Sequence, residues 1–540
     1  MMADFDAMTT ELQRSLTAFL PELVLVTGIV LMLFFRLFNW AHRIHMSRVA
    51  LACSLLAGII SLWQWAAFNA YMGTTYPLAE SIAQPFEMFS GLLMHDLFTI
   101  YFRIFLLLFT AMVIWLTRLT GIPDRMDSPD FYTLLFGATL GMMLMASSNH
   151  LLMVFISIEM ASVPSYVMAG FLKGRRDSSE AAIKYVVYGA GAAGVMLYGI
   201  SLLTGLFGTA HLPTLATEVV HTAAHHHSFD AHLTTVTLAM LMIFVGIAFK
   251  LAAVPFHFWC PDVFEGASTE VAAFLSVASK AAALALLSRL LISVTDAPEL
   301  ETARTWLATG IAAIAAMTAT FGNLAAYAQN NLKRLLAYST IAHAGYMMMP
   351  IAAALIMIGQ TNDATSGADA IQSMLFYLAV YLFMNLGAFA VIAFIRNEIR
   401  SEDLQDYQGL GRSSPVLGIS MLIFLFSLTG IPPLAGFFSK FYIFAALFEA
   451  GGFNNGMYWL LVVAAVNTVI SLFYYVKILR VMILNPPTEA NEQVQIPLIS
   501  PAGIYSLCIA VPVLLLGIWA ALYEITPAFA QAIFAQAIAQ

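Results

Sequence analysis

The sequence predicts an all-α polytopic membrane protein of about fourteen transmembrane helices, and three observations carry that prediction. Of its 540 residues, 61% are apolar and only 10% charged. Mean hydropathy is +0.83. The apolar residues gather into runs of roughly 20 between short polar breaks, the length that spans about 30 Å of hydrocarbon. A soluble globular chain sits nearer half apolar and a quarter charged, so an ordinary soluble enzyme is excluded. The net charge of -8 comes without a basic run, so nucleic acid is not a partner. Cys53, Cys260 and Cys508 stand far apart with no CxxC pair, which leaves no disulfide framework and no zinc or iron-sulfur ligand set. Neither a metal nor a cofactor is expected on this chain, and any redox group belongs to another polypeptide.

Reading apolar runs against polar breaks places helix starts near residues 16, 46, 96, 130, 149, 178, 235, 264, 303, 334, 370, 413, 456 and 501. The first run, Leu16 to Phe38, follows Asp4, Asp6 and Glu11 rather than a basic segment and is too long for a signal-peptide core, so a retained helix is expected. With fourteen helices, the odd-numbered loops share one side. Those loops and their flanks hold fourteen of the 23 basic residues, among them Arg36, Arg43, Arg125, Lys173, Arg334 and Arg400, against Arg14 and Arg304 opposite. The positive-inside bias therefore puts the odd loops in the cytoplasm and both termini on the other side. The remaining seven, Arg103, Lys184, Lys250, Lys280, Arg289, Lys440 and Lys477, lie inside apolar segments or at their ends.

Two helices carry interior prolines near a lysine. Lys250 precedes Pro255 in GIAFKLAAVPFHFW, and Lys440 follows Pro432 and Pro433 in LTGIPPLAGFFSKFY. Proline removes an intrahelical hydrogen bond, and non-helical backbone at membrane depth is tolerated only inside protein or beside water. Both breaks are thus expected to line a polar cavity. Glu159 precedes Lys250 by 91 residues and His343 precedes Lys440 by 97, which points to two related five-helix units. The chain then divides into an N-terminal three-helix segment, 1–129, two repeats, 130–293 and 294–484, and a C-terminal helix in 485–540.

A lysine near the middle of a membrane helix costs about 2.5–3.5 kcal/mol on insertion scales. Lys184, Lys250, Lys280 and Lys440 together would cost on the order of 10 kcal/mol, so they are candidates for proton transfer rather than ornament. Glu159, in ISIEMASVP, reads as the only carboxylate deep in the first repeat and the natural partner of Lys250 or Lys184. At about 7 Å and an effective dielectric of about 20 such a pair interacts by roughly 2.4 kcal/mol. His257, seven residues past Lys250, and His343, in an apolar stretch, are the candidate relays, because histidine exchanges protons near neutral pH. Lys477 sits near a helix end where snorkelling accounts for it. GAGAAG at Gly189 to Gly194 matches a dinucleotide fingerprint, but it lies inside an apolar run with no preceding strand, so close helix packing explains it. The loop histidines His221, His225, His226, His227 and His232 have no spacing that fixes a metal.

At these residues the chain resembles the proton-pumping antiporter-like membrane subunits of respiratory complex I. The stretches that carry the likeness are IEMASVPSYVM, SSEAAIKYVVYGA, GIAFKLAAVPFHFWCPDVFEGA, FLSVASKAAA, NNLKRLLAYSTIAHAGYM, SLTGIPPLAGFFSKFY and NTVISLFYYVKILRV, in the family's order. SVASK is similar to the subunit N branch of bacterial NADH-quinone oxidoreductase. The resemblance implies fourteen helices with two inverted five-helix repeats, each with a broken helix. It implies proton-transfer roles for Glu159, Lys184, Lys250, His257, Lys280 and Lys440, with NADH, FMN, iron-sulfur clusters and quinone held by other subunits. It further implies a bacterial plasma membrane, neighbouring antiporter-like and small membrane subunits as partners, and protons as cargo. One departure is GASTEVAAF, where the family usually has proline around Thr269 and Glu270. Two other readings stay open at this point: a subunit of a multi-subunit sodium/proton antiporter, and a mainly structural membrane-arm subunit.

Overall fold

The computed structural model describes residues 2–38, 44–70, 82–124, 126–225, 231–295, 297–358, 360, 367–519 and 521–538. Arg43, Arg125, His226 and His227 fall outside them. The helices in order are α1 Met2–Ala18, α2 Leu20–Leu37, α3 Met46–Ala70, α4 Leu97–Thr120, α5 Ser128–Ser147, α6 Leu151–Ala169, α7 Arg176–Phe207, α8 Leu212–His225 and α9 Ala231–Leu251. They continue with α10 Trp259–Gly266, α11 Thr269–Thr295, α12 Glu301–Ala326, α13 Leu332–Met357, α14 Ala368–Ile399, α15 Pro415–Thr429, α16 Ala435–Gly451, α17 Gly456–Leu479, α18 Pro501–Ile518 and α19 Pro527–Ile538. By length and composition, thirteen helices among the described residues can cross a membrane. The count is fourteen if Leu404–Ser413 and Pro415–Thr429, bent by 117°, form one span.

Several expectations shift locally. The first apolar run is interrupted at Phe19, so α2 begins at Leu20 behind a separate α1. The helix expected near 264 begins at Thr269, because Phe264 belongs to the half-helix α10 and Ala267 is extended (φ -71°, ψ 165°). A short antiparallel hairpin, β1 Phe86–Met88 with β2 Leu93–His95, precedes α4 and had no signal in the apolar pattern. Of the GAGAAG glycines, Gly189 packs against Tyr166, while Gly191 and Gly194 meet open space within the chain.

An inverted repeat shows in the backbone. The turn before α6 pairs with the turn after α7: Leu151 N donates to Ala210 O (2.8 Å) and Leu212 N to Asn149 O (3.0 Å). The turn before α13 pairs with the turn after α14 in the same register: Leu332 N to Glu402 O (2.9 Å) and Leu404 N to Asn330 O (2.8 Å). Five crossings separate the start of α5 from the start of α12, an odd number, so the two pairings lie on opposite faces of the membrane.

Both broken helices end alike. Ala252 (φ 55°) and Gly430 (φ 91°) adopt the left-handed conformation just past α9 and α15. The next residue's N–H then reaches back five positions, Ala253 to Ala248 O (2.9 Å) and Ile431 to Phe426 O (3.0 Å). This closure satisfies carbonyls that would otherwise be stranded in hydrocarbon. Val254 N at the first break finds Thr318 Oγ1 on α12 (3.0 Å). At 15 and 17 residues, α15 and α16 are each shorter than the roughly 20 residues that span about 30 Å. Gly436 lets α16 close onto α15: its N–H donates to Ser427 Oγ (3.0 Å), and a Cβ there would run into the Ser427 carbonyl. Gly436→Ala is expected to cost about 1–3 kcal/mol by overpacking against backbone. The check is the heat resistance of the assembled membrane protein, which should fall.

The core lies where the repeats meet. The apolar windows of α11 and α13 are buried along their whole length, whereas that of α7 is only 28% buried. Charged residues are accordingly paired wherever α11 ends. Arg289 binds Asp96, both fully enclosed, and Glu270 binds Arg396.

Candidate functional site

Helix ends and breaks place the titratable side chains along one line through this core. Lys250 lies in the last turn of α9 and is 1% exposed, and its ammonium has no hydrogen-bond partner among the described residues. The Tyr166 and Tyr185 rings lie 5.9 and 5.8 Å from its Nζ, close enough for cation–π attraction. Glu159, half-buried on α6, acts on it electrostatically. Tyr185 stacks on Trp259, the first residue of α10, with centroids 4.3 Å apart and planes 5° from parallel. On the far side Lys280, midway along α11 and fully buried, sits 6.0 Å from the Trp259 ring and 5.8 Å from Phe264. Its ammonium too has no partner among the described residues.

The line continues into the second repeat. Cys260 lies within electrostatic reach of both Lys280 and the buried Tyr381. Nearby, Asn385 donates to Ser276, four residues before Lys280 on α11, and keeps its Oδ1 unpartnered. The Tyr381 ring is 5.1 Å from His343. His343, 2% exposed, meets a tyrosine hydroxyl at each ring nitrogen: Tyr377 at 2.6 Å from Nδ1 and Tyr475 at 3.1 Å from Nε2. A hydroxyl both donates and accepts, so either tautomer, and the doubly protonated ring, can be satisfied there. Tyr346 follows on α13, its ring 6.0 Å from His343 and 4.7 Å from Lys440 Nζ. Lys440, on α16, donates to Thr429 O (2.9 Å), the last carbonyl of α15. Both break lysines thus end at the C-terminus of the first half-helix, where the carbonyl dipoles favour a cation.

Three candidates are placed differently from the rest. Lys184 does not reach Glu159; it is partly exposed and paired with Asp262 (2.6 Å) and Glu180 (2.9 Å). His257, 4% exposed, packs between the tilted rings of Phe258 and Phe321, beside the break rather than between the lysines. Lys477 reaches the carbonyl of Gln329 in the adjoining turn (3.1 Å), as a snorkelling side chain would. Glu159 is also not the deepest carboxylate of its repeat. Glu270 is fully buried, with one oxygen on Arg396 (3.1 Å) and the other without a partner among the described residues. The tyrosines were missed, although Tyr377 and Tyr381, four apart in an apolar run, share a helix face that marks them. Among the described residues, no three His, Cys, Asp or Glu side chains cluster as metal ligands. His221 lies on α8, and the side chains of His225 and His232 fall outside the described set.

A profile for the family described as NADH:quinone oxidoreductase/Mrp antiporter, TM, matches residues 148–471. NADH-quinone oxidoreductase subunit N of Anaeromyxobacter sp. (strain Fw109-5) is 39% identical over 536 residues, covering 96% of this chain and 97% of the relative. Among solved structures, a chain of respiratory complex I from Thermus thermophilus with bound aureothin is 30% identical with a TM-score of 0.70, covering 93% of this chain and 98% of that one. The Mrp complex from Dietzia sp. DQ12-45-1b contains a chain at 19% identity and a TM-score of 0.73, covering 96% and 98%. That last likeness concerns the fold alone.

Proposed function

Because the chain belongs to the NADH:quinone oxidoreductase/Mrp antiporter transmembrane family, we propose that it is the subunit N type of proton-translocating membrane subunit in a bacterial NADH-quinone oxidoreductase. The observation that supports this best is the row of three buried lysines, Lys250, Lys280 and Lys440, joined by tyrosines and His343. Two of the ammonium groups lack a partner among the described residues. Buried polar atoms of that kind are the ones that ordered water satisfies, and water with titratable side chains makes a proton path. In this reading Lys250 takes up a proton against Glu159, Lys280 receives it past the Tyr185–Trp259 stack, and His343 with its tyrosines carries it to Lys440 for release. His257 borders the uptake side, and Lys184 lies outside the line.

Electron transfer takes place elsewhere in the complex. NADH, FMN, iron-sulfur clusters and quinone belong to other subunits, and this chain carries no redox centre. Its neighbours are antiporter-like and small membrane subunits in the plasma membrane. The basic odd loops face the cytoplasm and both termini face the other side. Residues 1–129 act as a packing segment, 130–293 and 294–484 as the two half-pathways, and 485–540 as a closing helix.

The test is proton uptake per quinone reduced in NADH-energised inverted vesicles, for wild type against Lys280→Met and Lys440→Met in the assembled complex. A lower ratio is expected for both. Unchanged ratios would make the lysines structural. A purified complex without flavin and iron-sulfur absorbance would instead place the chain in a sodium/proton antiporter.

A further inference from the structure

The half-helix α10 is only eight residues long, yet its first residue, Trp259, stands between two buried lysines. A helix this short has no stability of its own, so its position is set by what grips it. Asp262, three residues past Trp259, is gripped twice: Oδ2 lies 2.6 Å from Lys184 Nζ and Oδ1 lies 2.7 Å from Arg334 Nη1. The same Arg334 nitrogen reaches Glu265 Oε2 (2.6 Å), and Lys184 also holds Glu180. From the first repeat, α7 thus holds α10 with two consecutive residues, Lys184 by charge and Tyr185 by stacking. From the second repeat, Arg334 and Lys333 in the first turn of α13 hold it, Lys333 donating to Ala267 O just past α10 (2.8 Å) and pairing with Glu402 (2.8 Å).

We propose that Asp262 is a positioning residue. By sharing one carboxylate between Lys184 of the first repeat and Arg334 of the second, it fixes the Tyr185–Trp259 stack between Lys250 and Lys280. It thereby ties proton passage in the first repeat to α13, the helix that carries His343. Exposed ion pairs are weak singly. Here removal of the shared carboxylate leaves two cations from different repeats without their common anion, so the loss falls on the junction itself. This inference rests on the proton-translocating reading above.

The test uses the assembled oxidoreductase in NADH-energised inverted vesicles and reads protons moved per quinone reduced. Asp262→Asn is expected to lower the ratio to the level of Lys250→Met while electron transfer to quinone is retained. Asp262→Glu, which still offers two oxygens, is expected to restore it. An unchanged ratio in Asp262→Asn, or an assembled Asp262→Glu that fails to restore it, overturns the proposal. If Asp262→Asn does not assemble, Lys184→Met decides: a lowered ratio that Lys184→Arg restores supports the role, and a wild-type ratio refutes it. If Lys250→Met itself keeps the wild-type ratio, the proton-translocating reading fails and the positioning role with it. If Lys250→Met lowers the ratio and Asp262→Asn does not, the positioning role alone fails.

Discussion

Lys250→Met is expected to lower the number of protons moved per quinone reduced while leaving the assembled complex at least as heat-resistant as wild type. The two halves of this expectation have one cause. The Lys250 ammonium is enclosed, lies between the Tyr166 and Tyr185 rings and has no hydrogen-bond partner among the described residues. An unsatisfied buried charge weakens a fold, and replacing buried charge by an apolar side chain of similar volume is often neutral or stabilising by about 1–4 kcal/mol. Glu159, half-buried, loses its electrostatic partner, and the water it can reach limits that loss. A proton carrier is therefore removed and a strained site relieved, the usual opposition between stability and activity. The measurements are the proton-to-quinone ratio and the thermal midpoint of the complex. A normal ratio, or a midpoint that drops sharply, would mark Lys250 as a structural charge.

Arg289→Met is expected to do the opposite and leave little of the chain in the membrane. Arg289 and Asp96 are both 0% exposed and form a bidentate pair, Nη1 to Oδ2 at 2.9 Å and Nη2 to Oδ1 at 3.0 Å. The guanidinium also donates to Ala146 O (2.9 Å) and Thr99 Oγ1 (3.0 Å), so it joins the ends of α11 and α5 to the start of α4. Asp96 caps α4 through Thr99 N (2.7 Å). Breaking one partner of such a pair costs about 3–5 kcal/mol, a large share of a typical fold's net stability. Arg289→Lys should rescue poorly, because an ammonium cannot reproduce the fork. The amount of subunit in membranes and of intact complex on native gels checks this. Wild-type amounts of Arg289→Met would show that the pair fastens nothing.

The sequence made the helices and breaks legible because both follow from local chemistry. Apolar runs fix where spans begin to within a few residues, and Pro255 with Pro432 and Pro433 mark the two interruptions. The row of lysines was legible for the same reason, since a charge in an apolar run stands out. What was hidden depends on which residues from distant segments come together. Lys184 looked like a neighbour of Glu159, but the α7 face that carries it turns toward Asp262, 78 residues away. Asp262, Glu265 and Glu270 lie where a helix start was expected, and acidic residues at a helix start read as ordinary. Arg289 stood out in an apolar segment, yet nothing in the sequence named Asp96, 193 residues earlier, as its partner. Tyrosines pass as apolar residues in any hydropathy reading, so the meeting of the Tyr377 and Tyr475 hydroxyls at His343, from helices far apart in the chain, was hidden.

The matched turns on opposite faces bear on vectorial transport. Two halves related by an in-plane pseudo-two-fold axis offer the same device to both sides of the membrane, and a device identical from both sides has no preferred direction. Any direction intrinsic to this chain resides where the halves depart from symmetry. One such departure is at the breaks: Lys250 approaches from before its interruption and has no hydrogen bond among the described residues, while Lys440 approaches from after its own and is tied to Thr429 O. Another is at the matched turns, where His211 and Glu87 flank the first and Lys333 and Glu402 bind across the second. Substitutions that make these positions more alike should erode rectification before they erode conductance, a signature distinct from that of blocking the path.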